Sequence, residues 1–107
     1  MYARQVSMEL KPNSLTDFTR KLDSDIIPLL RKQAGFRDEL TFVEPGGKRT
    51  FAVSLWDSKQ DAEAYSQKSY AEVAKMLSGL IQGTPQVKTF EVAHSTAHKI
   101  STKEKAA

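Results

Sequence analysis

The stretch from Thr50 to Ser58, Thr-Phe-Ala-Val-Ser-Leu-Trp-Asp-Ser, restricts what this chain can fold into more than any other. Alternation places Phe51, Val53 and Leu55 on one side of an extended segment and Ala52, Ser54 and Trp56 on the other. Asp57 and Ser58 then end the strand and offer side-chain oxygens to open a helix. A strand that is greasy on one side, and small on the other up to a terminal indole, predicts one face for a core and one for the wall of a cavity.

The rest of the chain supplies partners for that strand. Tyr2 to Leu10 alternates, with Arg4, Val6, Met8 and Leu10 in one phase and Ala3, Gln5, Ser7 and Glu9 in the other. Asn13 or Ser14 can cap a helix in which Leu15, Phe18, Leu22, Ile26 and Leu29 recur at three- and four-residue steps. Pro28 is expected to kink its last turn or two, and Gly35 to terminate it. Phe36 to Val43 reads as a second strand, joined by Glu44-Pro45-Gly46-Gly47-Lys48 to the Thr50 strand as an antiparallel hairpin. A helical region opens at Ser58 and is expected to bend near Ser69, where Ser69 and Glu72 have capping-box spacing. A second helix ends near Gly79 to Gly83, Thr84-Pro85 makes a turn, and Val87 to Ala93 is the last strand.

Strand, helix, strand, strand, helix, strand predicts an α+β, ferredoxin-like βαββαβ fold, a four-stranded antiparallel sheet with its helices on one face. Sorting strand residues by parity assigns Val6, Met8, Leu10, Leu40, Phe42, Phe51, Val53, Leu55, Phe90 and Val92 to the surface beneath the helices. The other surface then carries Ala3, Gln5, Ser7, Thr41, Val43, Ala52, Ser54, Trp56, Val87, Thr89 and Glu91. Two copies pressing these second faces together would enclose a hollow of small and hydroxylated side chains, so a homodimer around an apolar or aromatic small molecule is expected. A plain solvated face with one exposed indole is the simpler alternative.

Composition narrows the function classes. The formal charge is +3 over 107 residues, but Lys99, Lys103 and Lys105 against Glu104 put much of it in the last stretch. The remainder is nearly balanced, which argues against nucleic acid as partner. Without a cysteine, thiolate and disulfide chemistry are excluded. The short hydrophobic runs argue against a membrane, and the N-terminal alternation against a leader, so a cytoplasmic location is expected. The domain is expected over residues 1–96, with a basic flexible tail over 97–107.

The pocket-lining candidates are Trp56, Ser54, Ala52, Gln5, Ser7, Thr41 and Glu91. Trp56 reads better as dimer packing or a plug at the sheet's end, since aromatics mostly contribute buried area, and Glu91 reads better as a solvated rim residue. His94 and Tyr65 are the candidates for proton handling, with Tyr65 also suited to the core. His94 and His98 lie four apart, but at a strand end without supporting carboxylates, so no metal site is expected.

Two segments resemble a known family. Pro28-Leu29-Leu30-Arg31-Lys32-Gln33-Ala34-Gly35-Phe36 is similar to the passage that ends the first helix in small dimeric α/β-barrel proteins. Leu55-Trp56-Asp57-Ser58, with Ala62 and Tyr65 following, is similar to their strand-to-helix passage, and Pro85-Gln86-Val87 to the entry of their last strand. Together these resemble the antibiotic biosynthesis monooxygenase-like domain. The resemblance implies a homodimeric barrel with an apolar cavity, between sheet and helices or inside the barrel. It further implies that some members oxidise aromatic polyketides or quinols with molecular oxygen and no metal or flavin, so no cofactor is expected. Those oxygenases place an Asn four residues before the Trp, where this chain has Ala52. The non-catalytic alternative is a ligand-binding or dimerisation module of the same fold.

Overall fold

The computed structural model describes residues 1–100, and the last seven residues of the expected tail, 101–107, lie outside the described residues. The elements follow in the order β1 (Tyr2–Leu10), α1 (Leu15–Lys21), a π-helical turn (Leu22–Ile26), α2 (Ile27–Arg31), β2 (Phe36–Val43), β3 (Arg49–Trp56), α3 (Lys59–Lys68), α4 (Tyr70–Leu77) and β4 (Ile81–Glu91). The sheet is wholly antiparallel in the order β2-β3-β1-β4. With the helices over one face, this is the expected ferredoxin-like α+β arrangement.

Local chemistry explains the element ends. Pro28 brings no N–H and its ring crowds the carbonyl four residues back. The chain answers before the proline rather than after it, by widening into the π-helical turn Leu22–Ile26. Ser58 caps α3, its hydroxyl accepting from the Asp61 N–H at 3.2 Å. The bend at Ser69 forms as expected, but its side chain makes no cap bond and turns instead to Gln33, 3.4 Å away. β4 starts earlier than the sequence predicts. Thr84-Pro85 lies inside it, where an edge strand tolerates the missing N–H, next to a positive-φ Gly83 and a register shift opposite Ser7 and Glu9.

Register corrects the assignment of faces. Tyr2, Arg4, Val6 and Met8 pair with Trp56, Ser54, Ala52 and Thr50, and paired residues share a face. The β3 residues beneath the helices are therefore Ala52, Ser54 and Trp56, not Phe51, Val53 and Leu55. Leu40 and Phe42 pair with Val53 and Phe51 on the opposite, open side. There Leu40, Phe42, Phe51 and Phe90 stand 39–48% exposed, although sequence parity assigned them to the core. The core lies on the other side, where Met8, Leu10 and Trp56 meet Phe18, Ile26, Leu30, Ala62, Tyr65, Val73 and Leu77. Small floor residues leave the bulk to be supplied by the helices above.

Beyond β4 the chain crosses the end of the sheet. The Val92 N–H donates to the Met1 carbonyl, and Ser95 Oγ accepts from the N–H groups of Ala97 and His98. His98 Nε2 then lies 3.1 Å from Asp38 Oδ2 on β2, at the far edge from β4.

Candidate functional site

The sheet-to-helix passage builds the first wall. Trp56, with no exposed surface, closes β3 and donates from Nε1 to Ser54 Oγ at 2.9 Å. The cap at Ser58 starts α3 so that Ala62 and Tyr65 fall on its inner side, and the small Ala62 lets the helix approach the sheet. Tyr65 stacks on Trp56 at 4.9 Å between ring centres, and Phe36 meets the same indole edge-on at 5.6 Å.

Arg4 continues this stack. Its guanidinium carbon lies 5.3 Å from the Tyr65 ring centre and 4.6 Å from that of Tyr70, so it packs against two π faces. The residue is only 3% exposed, and among the described residues no carboxylate comes within ion-pair distance of it. Its one side-chain hydrogen bond there is a long one, Nη2 to Ser66 Oγ at 3.5 Å. Burial lowers its pKa, and the two tyrosines act in the opposite direction.

Register places Arg4 in a polar row. Arg4 pairs with Ser54, and Ser54 on its other side pairs with Glu39 of β2. Glu39, Ser54 and Arg4 thus run side by side across three strands, putting the acid and the guanidinium two strand spacings, roughly 10 Å, apart at the backbone. Thr41 Oγ1 donates to Glu39 Oε2 at 2.6 Å. Burial raises the Glu39 pKa, more than the Thr41 hydroxyl lowers it. Burial also pushes the Tyr65 phenol up to about 12 and raises that of Tyr70.

Above this row is a cavity of about 50 Å³, walled by Phe18, Leu22, Ile26 and Leu30 and bordered by Arg4, Glu39, Ala52, Ser54, Tyr65 and Tyr70. That volume holds roughly three or four waters. Arg4 also borders an outer cleft of about 280 Å³ between β4 and α3, with Lys59, Glu63, Ser66 and Thr89. The guanidinium therefore borders both spaces, the inner one beneath the helices and the outer one between β4 and α3. A larger opening of about 690 Å³ lies by Ser7, Phe42 and Phe51, but it is broad, and of its ionisable lining residues Glu9, Glu44 and Arg49 the last two are exposed. The inner cavity is the better-formed site, because aromatic walls and buried ionisable groups converge only there among the described clefts.

The residues singled out from sequence divide between the two faces. Ala52 and Ser54 border the inner cavity, Trp56 backs it through Tyr65, and Thr41 touches it through Glu39. Gln5 and Ser7 lie on the open face and bond to one another at 3.3 Å, so they do not join this group. Glu91 is exposed and forms no ion pair with Arg4. His94 is exposed beyond β4 and borders no part of the cavity. Arg4 and Glu39 were not among the expected site residues. Arg4 carried a readable signal, being a charge in phase with Val6, Met8 and Leu10. Among the described residues no group of three His, Asp or Glu converges as a metal site, and no helix is long and apolar enough to cross a membrane.

No family model matches the sequence, and a search of curated proteins finds no match either. Solved structures do match in fold. The monooxygenase from the gene ActVA-Orf6 of Streptomyces coelicolor, in complex with Nanaomycin D, superposes with a TM-score of 0.75 at 16% identity, covering 88% of each chain. SnoaB, a cofactor-independent oxygenase of Streptomyces nogalater, gives 0.68 at 12% identity over 91% of this chain and 97% of its own. NE2512, a protein of unknown function from Nitrosomonas europaea, gives 0.73 at 17% identity over 89% and 91%. The fold is that of the antibiotic biosynthesis monooxygenase-like domain.

Proposed function

We propose that this chain is a homodimeric small-molecule-handling protein that oxygenates a phenolic, quinol or polyketide-like compound without metal or flavin. The observation that carries the reading is the small cavity under the helices, where the Trp56–Tyr65–Arg4–Tyr70 stack meets a largely apolar wall. In such a reaction a phenol gives up its proton, and the electron-rich anion reacts with oxygen. One oxygen atom enters the ring to complete a quinone and the other leaves as water. The protein's share is to bind, to take the proton and to exclude solvent. The Tyr65 phenol, held neutral by burial, serves as a hydrogen-bond donor to the bound oxygen function. The fold relatives described as a monooxygenase and as a cofactor-independent oxygenase support the reading by analogy.

The homodimer belongs to the same proposal. Leu40, Phe42, Phe51 and Phe90 leave an apolar band on the open face that a second copy would cover, and Phe42 and Phe51 stack within it at 4.7 Å.

Oxygen uptake with substituted hydroquinones and naphthols tests the catalytic reading. Wild type is expected to consume oxygen, and Tyr65→Phe to do so about tenfold or more slowly. No uptake with any of these compounds sinks it. A non-catalytic binding module is the second reading, favoured by the 50 Å³ volume and by Ala52 at the position where the family's oxygenases carry an Asn.

A further inference from the structure

We propose that the outer cleft between β4 and α3 is a second binding site, one that holds a small organic monocarboxylate on the buried guanidinium of Arg4. The cleft shares only Arg4 with the cavity beneath the helices, so a ligand here stands independently of any oxygenation there.

Arg4 is 3% exposed and has no carboxylate within ion-pair distance among the described residues. Burying a cation without a counter-charge is costly. The Tyr65 and Tyr70 rings attract its charge, but ring faces accept N–H bonds only weakly. Of its five N–H donors one reaches a side-chain acceptor, from Nη2 to Ser66 Oγ at 3.5 Å. Ser66 lines the outer cleft and not the inner cavity, so the Nη2 end of the guanidinium reaches the outer cleft. No fully buried polar side-chain atom among the described residues lacks a partner, so the unbonded nitrogens of Arg4 each keep a small accessible surface. A carboxylate arriving there meets a fixed, largely desolvated fork, a geometry that favours two parallel charge-assisted hydrogen bonds.

The other lining residues set the class of anion. Thr89 stands beside Arg4 in the β1–β4 register and Ser66 approaches it from α3, so hydroxyls flank the guanidinium from strand and helix. Lys59 adds a second, exposed cation, and Glu63, the one carboxylate lining the cleft, is tied to Lys59 at 3.8 Å rather than to Arg4. Two cations against one carboxylate leave a single positive charge, which a monoanion balances and a phosphate dianion oversteps. Tyr2, Ala62 and Val87 supply apolar surface for a small hydrocarbon group, and a volume of about 280 Å³ admits an acid the size of benzoate.

Calorimetry on the full chain at neutral pH, with benzoate, its uncharged isostere benzamide and inorganic phosphate, tests the site. Wild type is expected to bind benzoate about tenfold or more tightly than benzamide, and more tightly than phosphate. Arg4→Met, or Arg4→Gln if the first does not fold, is expected to bind benzoate no better than benzamide. Thr89→Trp keeps Arg4 and fills the cleft from an exposed position, and it is expected to lose benzoate while keeping the helix content of wild type. Ser66→Trp does the same from α3 if the strand variant does not fold. Equal binding of benzoate and benzamide by wild type, or no binding of benzoate, removes the anion site. Tighter binding of phosphate overturns the monocarboxylate class. A benzoate preference that survives in the Arg4 variants overturns the role of Arg4, and one that survives in the tryptophan variants moves the site out of this cleft.

Discussion

Trp56 and Tyr65 stack at 4.9 Å with their planes 26° apart, which joins the end of β3 to the middle of α3 through two buried rings. This contact does more than line a cavity, because Phe36 meets the indole edge-on and the Arg4 guanidinium lies over the phenol. Trp56→Ala is therefore expected to cost about 3–5 kcal/mol of folding stability, the range for truncating a large buried aromatic. Urea unfolding measures it, and a loss below about 1 kcal/mol would mean that the indole is not the centre of this core. Loss of activity in Trp56→Ala would then report unfolding, so Trp56→Phe is the variant suited to functional comparison.

Glu39 has a cost of its own. Its pKa is raised in the folded state, so folding favours its protonated form. The stability it contributes is fully present below the unfolded-state pKa and is lost as pH rises through the folded value. At neutral pH the buried charge works against the fold. Glu39→Gln keeps an acceptor for Thr41 and removes that charge, so it is expected to raise the Tm at pH 7 and to leave it nearly unchanged in acid. A lower Tm at pH 7 would show that Glu39 is stabilised by something other than the Thr41 hydroxyl.

The strands and helices were legible in the sequence because alternation, three- and four-residue spacing and turn residues each act locally. Facing was not. Parity within β1 and within β3 is unambiguous, but nothing local says that Val6 stands opposite Ala52 rather than Phe51. The apolar residues were grouped on one face, whereas the sheet is apolar on both, covered by helices on one side and bare on the other. Gln5 and Ser7 were placed with Ser54 for the same reason. Trp56, Ser54 and Tyr65 were singled out on their residue types and do cluster. Glu39 could not be found, since its meaning depends on pairing with Ser54 across a hairpin whose register shifts between Phe36 and Asp38.

Tyr65 gives an alkaline signature. Burial lifts its pKa from 10 to about 12, against the nearby Arg4 charge that lowers it. The stability that comes from keeping this phenol neutral is complete below pH 10 and is lost as pH climbs toward 12. Thermal unfolding followed through that window should show a decline that Tyr65→Phe lacks. A decline of equal size in both proteins would assign the alkaline loss to other groups.

Gly35 is fixed by geometry on both sides. It adopts φ of +79°, and a methyl group there would overlap the Asp61 carboxylate, which sits against the Ser58 cap of α3. Its carbonyl also accepts the Asp57 N–H at 2.8 Å, just after Trp56. Gly35→Ala is expected to destabilise the fold by about 2 kcal/mol or more, combining left-handed strain with displacement of the cap. Since Asp61 is the obstacle, Gly35→Ala with Asp61→Gly should recover part of the loss. No recovery would place the whole penalty in the backbone.

Phe51 stands on the open face near the start of β3, stacked on Phe42 and 39% exposed. A stable pairing of two sheets needs roughly 800 Å² of buried surface from each copy, and a charge on that face would have to be desolvated in both at once. Wild type is expected to sediment as a dimer at micromolar concentration, and Phe51→Lys as a monomer with unchanged helix content. Ser7→Lys is a useful second probe, because it adds the same charge on the same face from the neighbouring strand, where Ser7 pairs with Phe51. A monomeric wild type would remove the paired-sheet proposal, whereas a Phe51→Lys protein that still dimerises would move the interface to another surface.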